Sequence, residues 1–550
     1  MASNVLSKLV WLFWVVTILF AWWLIPPRID DGIYLFPAIS VLNNFPPGGI
    51  INGSIQPIFY IFPTQPFLHG IFLKLLGFLS VEPGINTYRI FNYLSVVLLF
   101  YMMHRLFSVV FDNPMQRKSA TSASLILLGL SQFSTQFFVN RPEVLALVFF
   151  IVGLISSIKF ITESHKSNLH IMAAFFSYGM SIILHANFII ISGSIILYLV
   201  WLMVVDHRMR YFKFIATFFI PLSLFLVWIL LNFEVAQDQL FGRIGQATKG
   251  GVFDFTAVME MFSIIIGNSD KTLAHKIYLG LHMLTLLIEV LFLFFFFFLG
   301  NKVYGGDNKI TNLFKVLSLA ILILLSFMES WPPNYLLIAF LSIISVVFFV
   351  TKLSFKGSTL MLWSYHVSKK LHFKSFIYFA STLFILSLPI FHSLKVYAYD
   401  GDYYNHHKAR NRLDNLLSGK EHIFINSSQL LPLYSDKINK DFSAIRNKKK
   451  ENIHWYFPVH LSPSPKSQEL MLQSIINDEV LMQGAVWGTL KEGFVFNENS
   501  NTACLTLTGQ EHYIKIKGVK MLYEDRGSLF FLSESAKPSN KVSCHDLQNF

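Results

Sequence analysis

Adjacent carboxylates at Asp30 and Asp31 stand just past an apolar run at 9–25. An ionised carboxylate is costly near hydrocarbon, so Arg28 to Tyr34 is expected just outside a bilayer, within reach of a substrate held in the lipid. The plainer reading is that the pair ends a helix in water. What favours chemistry is the company the pair keeps. Arg141-Pro142-Glu143, His185 and Asn187 fall in short turns between apolar runs. Glu329 to Tyr335 falls in another. A carboxylate can take a proton from a hydroxyl, and a guanidinium can grip a phosphate in bidentate fashion. Singly each signal is weak, because a turn Arg–Glu pair is usually local and a His at a helix end is usually a satisfied cap. Together, on one side of a membrane, they would surround a single cavity.

The elements that must place these residues are membrane spans. The chain has 550 residues, is 53% hydrophobic with 57 Phe, and only 14% of it is charged, against about a quarter in soluble proteins. Apolar stretches near 9–25, 87–110, 120–139, 144–162, 169–184, 186–205, 211–232, 277–299, 310–328, 334–351 and 374–393 make about 11 transmembrane helices, each near the roughly 20 residues a bilayer needs. The fold class expected is thus an α-helical polytopic membrane protein. The run at 9–25 is read as a retained helix anchored by Trp22 and Trp23, because no small-residue cleavage site follows it.

The net charge of +12 sits in short clusters between the runs, such as Arg117-Lys118, Arg208 to Lys213 and Lys369-Lys370. With a cytoplasmic N-terminus these clusters all fall inside. That assigns the charge to topology and argues against nucleic acid as a partner. An odd span count puts 394–550 outside. Both cysteines of the chain, Cys504 and Cys544, lie in this tail, as a disulfide in an oxidising compartment would require. The tail mixes strand-like alternation at 422–425, 485–487 and 513–516 with a helical pattern at 467–477 and is expected to be an extracytoplasmic α/β domain. The expected division is therefore a transmembrane module, 1–393, and a tail, 394–550.

Two external loops exceed simple turns. The first, 26–86, is Pro-rich and carries an apolar stretch at 67–80 too short to span, as interfacial helices would. The second, 233–276, is Gly-rich and cationic, with Arg243, Lys271 and Lys276, and reads either as a flap over an anionic group or as a solvated connector. The sequence has no GxxxxGK[ST] loop, HExxH helix, CxxC pair or GxSxG elbow.

A short first span, Asp30-Asp31-Gly32-Ile33-Tyr34-Leu35 opening a long external loop, many spans with Arg141-Pro142-Glu143, and an exported tail resemble the GT-C superfamily of polyprenyl-phosphate-sugar glycosyltransferases. The chain is most similar to its bacterial branch of protein O-mannosyltransferase-like and lipid A aminoarabinose transferase-like proteins. The resemblance covers about 1–395. It implies an acidic residue at the start of the first external loop acting at the acceptor, which maps onto Asp30 or Asp31. It implies a polyprenyl-phosphate-linked sugar as donor and a glycan, lipid or protein as acceptor. The bacterial inner membrane is the expected location.

In such a reaction one of Asp30 and Asp31 would be the general base and the other would orient it. Arg141, helped by Arg243, Lys271 or Lys276, would hold the phosphate. Tyr34, Glu143, His185 and Asn187 complete the expected substrate-binding set. No ligand spacing demands a cofactor; a metal, if used, would be a divalent ion on Asp and Glu oxygens. Two rival classes stand beside this reading. One is a transporter or flippase for a lipid-linked or anionic solute, which would ordinarily place charge at mid-bilayer and show matching halves. The other is a non-catalytic envelope assembly protein.

Overall fold

The computed structural model describes residues 29–51, 54–57, 63–79, 85–130, 141–163, 167–233, 309–327, 335–356, 423–425, 435–447, 486–490, 494–497, 500–508, 512–524 and 528–539, together with single residues at 81, between 8 and 19, and between 236 and 298. Most of the first 356 residues described are helical.

The segment that the sequence reading places in a first loop folds into two short helices and a hairpin. Helix α1 (Ile29–Leu42) contains Asp30 and Asp31, so the acid pair opens a helix and not an extended loop. A hairpin follows, with β1 (Gly48–Ile51) antiparallel to β2 (Ser54–Pro57) and Ile50 opposite Ile55. Helix α2 (Thr64–Gly77) starts directly after Pro63. Its 14 residues reach about 21 Å, short of the roughly 30 Å of hydrocarbon.

The bundle comprises α3 (Ile85–Val110), α4 (Pro114–Leu130), α5 (Pro142–Thr162), α6 (Ser167–Leu184), α7 (Phe188–Val205), a 3-10 turn (Met209–Ile215) leading into α8 (Ala216–Leu231), α9 (Lys309–Phe327) and α10 (Tyr335–Lys356). Among the described residues four stretches are long and apolar enough to cross a membrane: Thr87–Val110, Pro142–Thr162, Phe188–Val205 and Met209–Leu231. Each coincides with an expected span. The stretch at 374–393 lies outside the described residues, as do parts of 9–25, 120–139 and 277–299. Helix α4 begins at Pro114, earlier than hydropathy alone suggests. The reason is local: Pro suits the first helical position, and the Asn113 side chain accepts the Met115 N–H at 2.8 Å.

Lipid gives helices no hydrophobic reason to associate, so close packing and polar pairs must hold them. Gly153 of α5 faces the Tyr178 ring of α6, where a Cβ would come within 2.7 Å of the ring. The Tyr178 hydroxyl lies 2.8 Å from Ser157 Oγ, and Ser181 of α6 lies 2.9 Å from Ser192 of α7. Such interhelical hydrogen bonds contribute about 0.6 kcal/mol each on average. Trp14 packs on the same core: it donates to the Leu125 carbonyl at 3.0 Å and sets its ring 4.8 Å from Phe100.

The tail is richer in strand than an α/β reading implies. One four-stranded antiparallel sheet has the order β10 (Ser535–Ser539), β7 (His512–Lys517), β6 (Thr502–Thr508), β5 (Phe494–Asn497). A second has the order β3 (Ile423–Ile425), β4 (Val486–Leu490), β9 (Ser528–Leu532), β8 (Lys520–Glu524), with only the β3–β4 pair parallel. The three alternating stretches are β3, β4 and β7, and the helical pattern at 467–477 lies outside the described residues. Between β3 and β4 stands a helix that hydropathy did not signal, α11 (Ser435–Arg446). Cys504 is buried on β6 opposite Val495 and Lys515. Cys544 lies outside the described residues, so the pairing itself is not described.

Candidate functional site

Pro142 shapes the centre of the site. A residue that precedes proline is pushed out of the helical region, and Arg141 is accordingly extended, at φ −128° and ψ 150°. The chain then turns directly into α5 with Glu143 in its first turn. There the free N–H groups of the helix favour a negative charge. The Arg141 guanidinium closes on this carboxylate: Nε donates to Glu143 Oε1 at 2.9 Å, and a second guanidinium nitrogen contacts the same oxygen. Both side chains are buried.

Helix α6 packs along α5 in the opposite direction and ends beside this turn. His185, one residue beyond α6, brings Nε2 to 3.3 Å from Glu143 Oε1. Its Nδ1 faces the backbone N–H of Asn187, which donates at 3.4 Å. Asn187 precedes α7 and makes no side-chain cap. One carboxylate oxygen thus takes a guanidinium and an imidazole, while Glu143 Oε2 is buried with no hydrogen-bond partner among the described residues. A buried acceptor of this kind is costly unless something else supplies a donor.

Helix α1, which carries the acid pair, packs on α2, and α2 packs in turn on α3 and α6. The approach to α1 is close. Gly70 leaves no room for a side chain, since a Cβ there would lie 2.5 Å from Val41 Cβ and 2.7 Å from the Ala38 carbonyl. On its α3 side, His69 stacks on Phe91 at 4.8 Å with an interplanar angle of 8°. Complete burial pushes the His69 imidazole from 6.5 down to about 3, against a smaller upward pull from a hydrogen bond with the Tyr88 backbone. Gln65, Tyr88, Arg89, Asn92 and Tyr93 are buried in the same two helices.

Of the residues singled out from the sequence, some come into contact. Arg141, Glu143 and His185 come together, with Asn187 joined through His185. Tyr34 is buried on α1, one turn beyond Asp30 and Asp31. Lys276 is helical and half-buried, whereas Arg243, Lys271 and most of 233–276 lie outside the described residues, as does Glu329 to Asn334. Among the described residues no three His, Cys, Asp or Glu side chains gather to hold a metal ion. The polar layer between α2 and α3 was missed. Its signal is the i, i+4 spacing of Gln65 and His69 and the i, i+3 spacing of Arg89 and Asn92, each on one helical face of a mostly apolar segment.

No protein-family model and no curated protein matches the sequence. Solved structures do. ArnT from Cupriavidus metallidurans bound to undecaprenyl phosphate superposes with a TM-score of 0.52 at 12% identity, over 96% of this chain and 98% of that one. The same protein in its apo state gives 0.50 at 11%, over the same shares. The oligosaccharyltransferase of Archaeoglobus fulgidus in its apo form gives 0.47 at 11%, over 87% of this chain and 69% of that one. The chain shares the fold of ArnT along nearly its full length.

Proposed function

We propose that this chain is an integral-membrane glycosyltransferase that moves a sugar from a polyprenyl-phosphate donor to an extracytoplasmic glycan, lipid or protein acceptor. The observation that carries the reading is the acid-bearing helix α1, joined through α2 to α3 and α6, the helices that pack on α5 and its Arg141–Glu143 pair, within a fold whose solved counterpart ArnT is seen bound to undecaprenyl phosphate. A sugar on a lipid phosphate is already activated, so two tasks remain: removing the acceptor proton and stabilising the departing phosphate. One of Asp30 and Asp31 performs the first and the other orients it. Arg141 performs the second, with Arg243, Lys271 or Lys276 from the second external loop. Glu143 and His185 hold the guanidinium in place, and Asn187 and Tyr34 line the substrate path. No step requires a metal; a divalent ion on carboxylate oxygens would serve to bind phosphate.

The same reading places about 11 spans in a bacterial inner membrane among its lipids, with 394–550 outside and Cys504 bonded to Cys544. A transfer assay on purified protein with undecaprenyl-phosphate-linked sugars, run beside a thermal-unfolding control, tests the chemistry. Asp30→Asn or Asp31→Asn keeps shape and removes the proton acceptor, so whichever residue is the base should lose roughly 10²–10⁴-fold in rate. Full activity in both single variants and in the double variant refutes the mechanism and brings the transporter reading forward.

A further inference from the structure

Helix α11 belongs to the tail, yet its apolar face is spent on α1. The sequence of α11 places Ile438 and Phe442 four residues apart, on one face, and both are fully buried. The Phe442 ring sits 5.6 Å from Phe36 of α1 and 6.2 Å from Phe45, just beyond the end of α1. A polar contact fixes the register: Asn43 Nδ2 donates to Asn439 Oδ1 at 2.8 Å and to the Ile39 carbonyl at 3.0 Å. On the other hand, Gly70 of α2 seats against Ala38 and Val41. Helix α1 is thus gripped along its C-terminal half by two elements, while Asp30 and Asp31 stand at its start, five to six residues before Phe36. At a rise of 1.5 Å per residue, the grip lies about 8–9 Å from the acid pair. Pro37 removes one backbone hydrogen bond from α1, but the helix runs unbroken from the aspartates to Leu42, so a tilt or slide of its gripped half against α11 is carried to the acid pair.

We propose that α11 is a positioning strut for the acid pair, with Phe442 and Asn439 as positioning residues, so that the tail is part of the catalytic unit and not an appended binding module. The proposal rests on the glycosyltransferase reading for its kinetic arm alone. A misplacement of about 1 Å at reacting groups can cost on the order of 10²-fold in rate, and loosening one flank of α1 permits displacements of that size.

The test uses the full chain in lipid nanodiscs, with two readouts. Hydrogen exchange of the α1 amides in Phe442→Ala should quicken by roughly tenfold or more, with α5 amides unchanged. With an undecaprenyl-phosphate-linked sugar as the probe, kcat should fall by about 10²-fold and the donor KM should stay within about twofold, as loss of orientation without loss of uniform binding requires. Phe442→Leu, which keeps apolar volume, should restore both. In case Phe442→Ala does not fold, Asn439→Lys should impair kcat and Asn43→Asp combined with it should recover activity through an ion pair at the same two positions. Unchanged α1 exchange in Phe442→Ala, equal quickening in α5, or a failure of the Asn43/Asn439 pair to recover overturns the strut. Inactivity of the unaltered chain toward every lipid-phosphate sugar strikes the glycosyltransferase reading instead, and the exchange measurement still decides the strut.

Discussion

Lowering the pH from about 7 to about 5 protonates His69 in the unfolded chain but not in the folded one. Unfolded, the imidazole takes up a proton near its ordinary 6.5; folded, burial against Phe91 and Tyr88 pushes it down to about 3. Between those values the unfolded state binds the extra proton, so stability rises with pH. The contribution is fully present above 6.5 and is lost as the pH falls toward 3. At pH 5 the unfolded chain gains about 1.5 pH units of protonation, worth about 2 kcal/mol relative to neutral pH. His69 is wholly buried, so solvent screening does not reduce this figure.

The assay is SDS-induced unfolding in mixed micelles at pH 7, 6 and 5, on the unaltered chain and on His69→Phe. The variant keeps the stack on Phe91 and loses the hydrogen bond with the Tyr88 backbone, a fixed cost near 1 kcal/mol at every pH. Its stability should therefore be lower at pH 7 and fall about 2 kcal/mol less on going to pH 5. Equal pH slopes in the two proteins would show that His69 titrates normally in the folded state, and the tight α2–α3 seam would then be wrong.

Three further outcomes follow from the geometry. Glu143→Ala leaves the buried Arg141 without its counter-ion and should cost about 3–5 kcal/mol, whereas combining it with Arg141→Ala should cost less than the sum; strict additivity in a thermal-unfolding cycle would deny the pair. Gly70→Val drives carbon into Val41 and the Ala38 carbonyl, so it should cost about 1–3 kcal/mol by overpacking and depress transfer more than Gly153→Ala, whose neighbour is a side chain; equal transfer in the two variants counts against α2 as the seat of α1. Membrane-impermeant thiol labelling of intact cells should modify Cys504 and Cys544 only after reduction and denaturation, and labelling of the unreduced folded chain would dismiss the bond.

What the sequence could disclose was whatever depends on neighbours a few residues away. Long apolar runs disclosed α3, α5 and α7 almost to the residue, since burying about 20 apolar residues in lipid overrides local preference. Period-2 alternation disclosed β3, β4 and β7. Arg141-Pro142-Glu143 was legible because proline dictates the backbone of its predecessor and opens the next helix, which fixes where both charges start. His185 joined them only through the side of a membrane that the span count assigned to it, and the 3.3 Å approach to Glu143 supplies the contact that sidedness could not.

The acid pair itself was visible, but its support was not. Nothing in the spacing of Asp30 and Asp31 says that α1 is held by Gly70, and a glycine inside an apolar helix has many meanings until a neighbour's carbonyl is seen 2.7 Å from where its Cβ would be. The Asn43–Asn439 bond joins residues 396 apart, a separation at which no local pattern carries information. Helix α11 is polar on average and short, so hydropathy passed over it, although its Ile438–Phe442 spacing is that of a helix with one face to bury. That face had two choices: the sheets of its own tail or the membrane module. Its choice of Phe36 ties the tail to the helix on which the proposed base stands, and a tail that served only to recruit an acceptor would gain nothing from placing Phe442 there.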